Sequence, residues 1–451
     1  MGNGKSSRPG LRRRRVSPPG RSANQEGPRQ PPPSHQLISI ARRLRGFDID
    51  PFAAWLAQAW LEIALNDLPG PRTPLREIVR VCDTLAQEPD ADLFDLVIGN
   101  PPYGRVQLTP QQRRRFRRSL YGHANLYGIF TDIAMRWTKA AGVIAYVTPT
   151  SFLAGEYFKM LRLLLAREAP PSAIDFITAR RGVFEDVLQE ARLATYRKGG
   201  AVDRAVVHHL TFNSHRSAQN GHAGQFAMPI NPAAPWLAPR SPNHQTLVDC
   251  LGRMPHRLAD WGYRVSTGPL VWNRHKSQLR TLLGKNVFPI VWAECVTADG
   301  RFVFRADKRN HEPYFRIEKG DEWLKVTVPC VLVQRTTAKE QQRRLIAAEM
   351  PRSFVRRHGA VIVENHLNMV RASNGEDAKV TATAVAALLN SSIADEAFRC
   401  ISGSVAVSAF ELESMPLPAP EKMAAVEHLL RTGAEASTVD DCIRELYLSE
   451  T

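Results

Sequence analysis

The sequence predicts an α/β domain built on a largely parallel sheet, followed by a second domain of α+β type. Three observations carry this reading. From about residue 37 to residue 212, short apolar runs alternate with longer helical ones, as strands and helices do in an α/β unit. Between residues 213 and 242 the composition turns to Asn, His, Ser, Gly and Pro, as expected of a linker. Beyond it, residues 243–425 mix short strand and helix patterns, and residues 426–451 read as a helical segment.

The elements follow in order. Residues 1–36 are rich in Arg, Pro, Gly and Ser, with Arg12 to Arg15 and Pro31 to Pro33 in uninterrupted runs. Such a stretch has too few apolar side chains to bury a core, so disorder is expected. Gln36 to Ala41, continued by Leu44, has the spacing of the last turns of a helix. Gly46-Phe47-Asp48-Ile49 ends a short strand. Asp50 can cap the next helix, with Pro51 in the first turn that proline favours. Leu56, Trp60, Leu61, Ala64 and Leu65 are spaced to form one apolar face of that helix. Phe94 to Gly99 is a second strand, Leu126 to Trp137 a helix, Gly142 to Val147 a buried strand, and Glu156 to Ala166 a further helix. No internal repeat is evident.

Bulk properties narrow the class. A chain of 451 residues, 43% hydrophobic and 23% charged, is long enough for two or three globular domains. It contains no apolar run of about 18 residues, so no membrane span is expected, and no apolar segment follows the basic start as in a signal peptide. The six cysteines are scattered without a Cys-x-x-Cys pair. That disfavours a zinc site or disulfide framework and fits a reducing cytoplasm. The net charge of +16 points to a polyanionic partner, but residues 1–45 carry +10 of it, leaving +6 for the rest.

The most specific feature is Asn100-Pro101-Pro102-Tyr103, placed directly after an apolar strand and Gly99. An exocyclic amine on an aromatic ring is a poor nucleophile because its lone pair is delocalised. An Asn side-chain oxygen and the next residue's carbonyl are two acceptors held in fixed relation. Together they can take both amine hydrogens and favour a pyramidal nitrogen. Proline fixes φ and removes an N–H, so the loop presents acceptors rather than donors. Tyr103 offers a ring face for an unstacked base.

Phe94 to Gly104, with this tetrapeptide at its centre, resembles the catalytic motif of the gamma-class N6-adenine DNA methyltransferases of restriction–modification systems. Further matches occur in the family's order. Gly46 to Pro51 resembles the segment whose acid binds the ribose of S-adenosylmethionine, which maps onto Asp48. Val81 to Leu85 resembles the segment whose acid binds the cofactor's adenine, which maps onto Asp83. Gly182-Val183-Phe184 resembles the motif whose aromatic helps hold the flipped base, which maps onto Phe184. For Asp48 and Asp83 a helix cap or solvated loop acid is the structural alternative, and for Phe184 a core side chain. Arg264 to Pro269, Ala387 to Ser392, Ser402 to Ser404 and Met415 to Pro418 resemble elements of the family's target-recognition region. The resemblance thus implies a Rossmann-like S-adenosylmethionine-dependent sheet over residues 37–212 and a DNA target-recognition domain over 243–425. It also implies double-stranded DNA as substrate and a cognate restriction endonuclease as possible partner; with the cysteines scattered, no metal site is expected. The arginines just after the motif (Arg105, Arg113, Arg114, Arg115, Arg117, Arg118) can be read as a clamp on the DNA backbone or as a solvated helix face.

One family element is missing. A strand and Gly-x-Gly loop, which wraps the methionine part of the cofactor, should precede Asp48 by about thirty residues. That space holds Pro18-Pro19-Gly20 and Pro31-Pro32-Pro33-Ser34 instead, and Gly2-Asn3-Gly4 has no strand before it. A frameshifted or misassigned start would account for residues 1–35. As written, the chain is expected to lack the first strand of its sheet and to bind cofactor poorly. Two other functions fit parts of the pattern. Glutamine methyltransferases of release factors and some guanine methyltransferases of ribosomal RNA use a similar loop, and a non-catalytic DNA-binding remnant would keep only the recognition domain.

Overall fold

The computed structural model describes residues 39–66, 77–87, 94–177, 191–212, 218–336, 343–373, 378–401 and 406–449. The expectations for residues 1–36, for Phe184 and for Ser402 to Ser404 lie outside these. The chain divides into two compact units: one within Met1–Thr148, Leu164–Ser172 and Arg192–Val202, the other within Pro149–Leu163, Ala173–Ala191 and Asp203–Thr451.

The first unit is α/β, as expected. After helical residues 39–43, strand β1 (Gly46–Asp48) leads into helix α1 (Pro51–Asn66) and strand β2 (Val79–Val81), which pairs with β1 in parallel. Asp50 caps α1, its Oδ1 accepting from the Phe52 amide at 2.8 Å. Gln58 on α1 accepts the Ile78 and Val79 amides at 2.9 and 3.1 Å and so ties the helix to β2. Strand β3 (Phe94–Gly99) is followed by the short hairpin of β4 (Arg105–Val106) and β5 (Ala124–Asn125), which encloses helix α2 (Pro110–Arg115). Helix α3 (Leu126–Trp137) then returns the chain to β6 (Thr138–Pro149), parallel to β3. The β–α–β order with parallel pairing makes this a Rossmann-like arrangement.

Its parallel strands form two separate sheets. Among the described residues β1 has only β2 as neighbour, and β3 stands at an edge with only β6 beside it. Among the described residues the two sheets therefore each leave an edge open. Apolar exposure concentrates on the same elements. Leu96 and Ile98, on one face of β3, are exposed, while Val97 on the other face packs with Ile129, Ile133 and Trp137 of α3.

Helix α1 departs from the single apolar face expected of it. Ala54, Leu61 and Leu65 are buried with Ala41, Ile78 and Val79, but Phe52 (66% exposed), Trp55 (62%), Leu56, Trp60 (59%) and Ile63 face outward. These outward residues recur at helical spacing, so α1 is apolar on two faces and only one is covered.

After β7 (Pro171–Ile177) and β8 (Ala191–Arg197) comes β9 (Arg204–Phe212); in the second unit β9 pairs in parallel with β7 through Ala173–Ile177, and with β10 (Ala218–Ala227). The stretch 213–242, read as a linker, thus contains a strand. Its polar, glycine-containing sequence hid a long antiparallel ladder with a bulge between His222 and Gly224. The rest is α+β, as expected. One four-stranded sheet has the order Tyr263–Thr267, Leu367–Ala372, Val331–Gln334, Ala347–Glu349; helix Ala382–Leu389 packs on its last two strands, and helices Ser392–Ile401, Ala424–Thr432 and Ala436–Leu448 pack around that helix, while a five-stranded sheet completes the unit. Three of the four sequence elements that resemble a recognition region fall here. Gly268 follows the Tyr263–Thr267 strand so closely against the Glu364 carbonyl that a Cβ would lie 2.2 Å from it, which explains the glycine. Asn390 exchanges two hydrogen bonds with the Ala347 backbone, and Met415 and Leu417 are buried.

Candidate active site

The acceptor loop grows out of β3. Gly99 ends the strand, with its missing side chain facing the Tyr146 ring of β6: a Cβ there would lie 3.4 Å from that ring. Pro101 and Pro102 are buried, and Gly104 takes φ +116°, which favours glycine. The Gly104 carbonyl accepts the Leu126 amide at 2.9 Å, so the loop's far end is pinned to the start of α3. Asn125 caps that helix, accepting from the Tyr127 amide at 3.3 Å. The loop is thereby held at both ends.

Asn100 and Tyr103 come together within it. The Tyr103 hydroxyl donates to Asn100 Oδ1 at 2.8 Å and lies 3.1 Å from the Val147 carbonyl on β6. Its ring meets Tyr127 edge-to-face, with centroids 6.1 Å apart. Burial pushes the Tyr103 phenol up to about 12, so its hydroxyl keeps its proton. No described residue donates a hydrogen bond to the Pro101 carbonyl. The tyrosine's grip on Asn100 was missed from sequence; its second partner, Val147, lies 44 residues on.

Behind the loop, Asp132 on α3 is fully buried and gathers a polar cluster. It accepts from Ser119 Oγ at 2.9 Å, from Arg118 Nε at 2.7 Å and from Arg136 Nε at 3.1 Å. Phe116, wholly buried, packs into the same core as Val97. This network ties the end of α2 and the segment after it to α3.

Asp48 is the last residue of β1 and Asp83 lies two residues past β2, at the carboxyl ends of these paired strands, where ligands of α/β sheets bind. Each also serves its own turn. Asp48, buried, accepts the Asp50 amide at 3.0 Å, and exposed Asp83 accepts the Leu85 amide at 2.9 Å. Each uses one carboxylate oxygen, Oδ1, in these turns. No Gly-x-Gly stands among the described residues before Asp48 to receive the methionine end of S-adenosylmethionine. Among the described residues no group of three His, Cys, Asp or Glu side chains could hold a metal ion, and no helix is long and apolar enough to cross a membrane.

The Eco57I restriction-modification methylase family matches residues 43–184. The type II methyltransferase M.BsuBI of Bacillus subtilis is 25% identical over 370 residues, 80% of this chain and 73% of the relative. M.TthHB8I of Thermus thermophilus is 33% identical over 169 residues, 35% of this chain and 34% of the relative. Among solved structures, the type IIL restriction-modification enzyme MmeI in complex with DNA shares the fold, with TM-score 0.52 and 13% identity. That match covers 89% of this chain and 63% of that one. The chain is homologous, at family level, to the type II DNA methyltransferases of restriction–modification systems.

Proposed function

We propose that this protein is a site-specific DNA methyltransferase that places a methyl group on the N6 amine of an adenine turned out of its duplex. The observation that carries the reading is the Asn100–Pro101 acceptor pair, on a loop stiffened by two buried prolines and fastened at both ends. Asp48 and Asp83 would hold the adenosine part of S-adenosylmethionine, which when bound supplies an electrophilic methyl carbon. The relatives' name as methyltransferases supports the cofactor, and MmeI's capture with DNA supports the substrate.

In this mechanism Asn100 Oδ1 and the Pro101 carbonyl accept the two amine hydrogens. They draw the nitrogen lone pair out of conjugation with the ring and aim it. Oδ1 here accepts the Tyr103 hydroxyl, which has one proton and two acceptors within reach. Turning the Asn100 amide over matches every donor. Nδ2 then donates to Tyr103 Oη, the Tyr103 hydroxyl donates to the Val147 carbonyl, and Oδ1 is released for the amine. Tyr103 keeps its ring in place as a stacking face throughout.

Radiolabelled methyl transfer offered to duplex DNA, ribosomal RNA and release-factor protein tests the class, alongside calorimetric titration with S-adenosylmethionine. Label in DNA supports the reading. Label in RNA or protein overturns it, and DNA binding without cofactor binding assigns the chain to a non-catalytic role.

A further inference from the structure

Resting on the reading that duplex DNA is the substrate, we propose that Arg114 and Arg117 form a phosphate-binding site beside the acceptor loop. Their neighbours Arg113, Arg115 and Arg118 take no part in it. The sequence sets these five side by side, and the structure separates them. Arg113 donates to the Gly122 carbonyl at 2.8 Å. Arg115 donates to the Leu85 carbonyl at 2.9 Å and also reaches the Gln87 carbonyl. Arg118 bridges buried Asp132 and Glu168, at 2.7 and 2.9 Å. These three guanidiniums are braces within the fold. Arg114 and Arg117 are exposed, and no acceptor among the described residues meets their side chains.

Three physical points turn two free cations into a site. Residues 105–136 hold seven arginines against the single acid Asp132, a local excess of like charge that a polyanion would relieve. Their backbone is rigid: a capping box between Thr109 and Gln112 fixes the start of α2, with Pro110 in its first turn. Phe116, between the two arginines in sequence, is anchored in the core that holds Val97 of β3, the strand leading into the acceptor loop. The cations are therefore fixed relative to the loop before any ligand arrives. Arginine forks suit phosphodiester oxygens, and such contacts set register on a duplex without reading its sequence.

The test needs neither activity nor a known target sequence. Affinity of the full chain for a fluorescein-labelled duplex is measured by anisotropy between about 50 and 200 mM salt. Each phosphate contact contributes about 0.9 to the slope of log affinity against log salt, so Arg114→Gln/Arg117→Gln should lower the slope by about 1.8. The melting temperature should not change, and Arg114→Lys/Arg117→Lys should keep the wild-type slope. An unchanged slope in the glutamine variant, with wild-type binding intact, would overturn this inference and leave the proposed function standing. Failure of the wild type to bind duplex DNA, or its preference for RNA of equal length, would sink both.

Discussion

Two regions of the first unit share one architecture, a parallel strand pair with a helix, and differ in how completely they are built. Around β3, β6 and α3 a set of polar side chains is paired within the fold. Asp132 collects three side chains, Asn100 and Tyr103 bond each other, and α3 is buried along most of its length. Around β1, β2 and α1 the packing stops halfway: one face of α1 is buried and the other carries Phe52, Trp55, Trp60 and Ile63 into solvent. The difference teaches that the half which would orient the target amine is preorganised by this chain's own side chains. The half which would hold the cofactor leaves an apolar face of α1 in solvent. An edge strand with exposed Leu96 and Ile98 is also a site for unwanted pairing.

That contrast can be broken or sharpened by substitution, beginning where the effect should be largest. Asp132→Ala removes the buried partner of Arg118 and Arg136, and chemical denaturation should report a loss of about 3–5 kcal/mol. A loss below 1 kcal/mol would mean that the cluster does not fix α2 and α3. The two faces of α1 allow a comparison within one helix. Leu61→Ala should cost about 2–5 kcal/mol, whereas Trp55→Gln, on the bare face, should change stability by no more than about 0.5 kcal/mol. Light scattering should show the Trp55 variant aggregating less. Equal losses at both positions would show that the outer face is covered in solution.

Tyr103→Phe should have a smaller effect. It keeps the ring and removes the hydroxyl that orients Asn100, worth about 0.5–1.5 kcal/mol. Methyl transfer kcat should fall by about twofold to tenfold with KM for DNA unchanged. Because burial holds this phenol protonated up to about 12, the ratio of wild-type to variant rates should be flat from about pH 6 to 9. A rise in KM instead would move the tyrosine's role to stacking alone.

Local signals were legible in the sequence and long-range ones were not. The helix Leu126–Trp137 was found to the residue because its cap and apolar stripe lie within it. Strand β3 and the acceptor loop were legible for the same reason. Strand β10 was not, since its only signature is a backbone ladder with β9. Composition alone could not separate bracing arginines from free ones, because the braces end on Leu85, Gly122, Asp132 and Glu168, up to 50 residues away. Trp55 and Leu61 look alike in a helical pattern, and only the packing around α1 tells them apart.

In the proposed mechanism two fixed oxygens, from Asn100 and Pro101, draw the adenine amine towards the methyl donor. The most direct measurement digests DNA exposed to the protein and labelled S-adenosylmethionine, and identifies the labelled base for wild type and Asn100→Ala. Label is expected on N6-methyladenine, reduced by about 10²–10³-fold in the variant while DNA affinity is retained. Label on cytosine, or wild-type rates from Asn100→Ala, would contradict it.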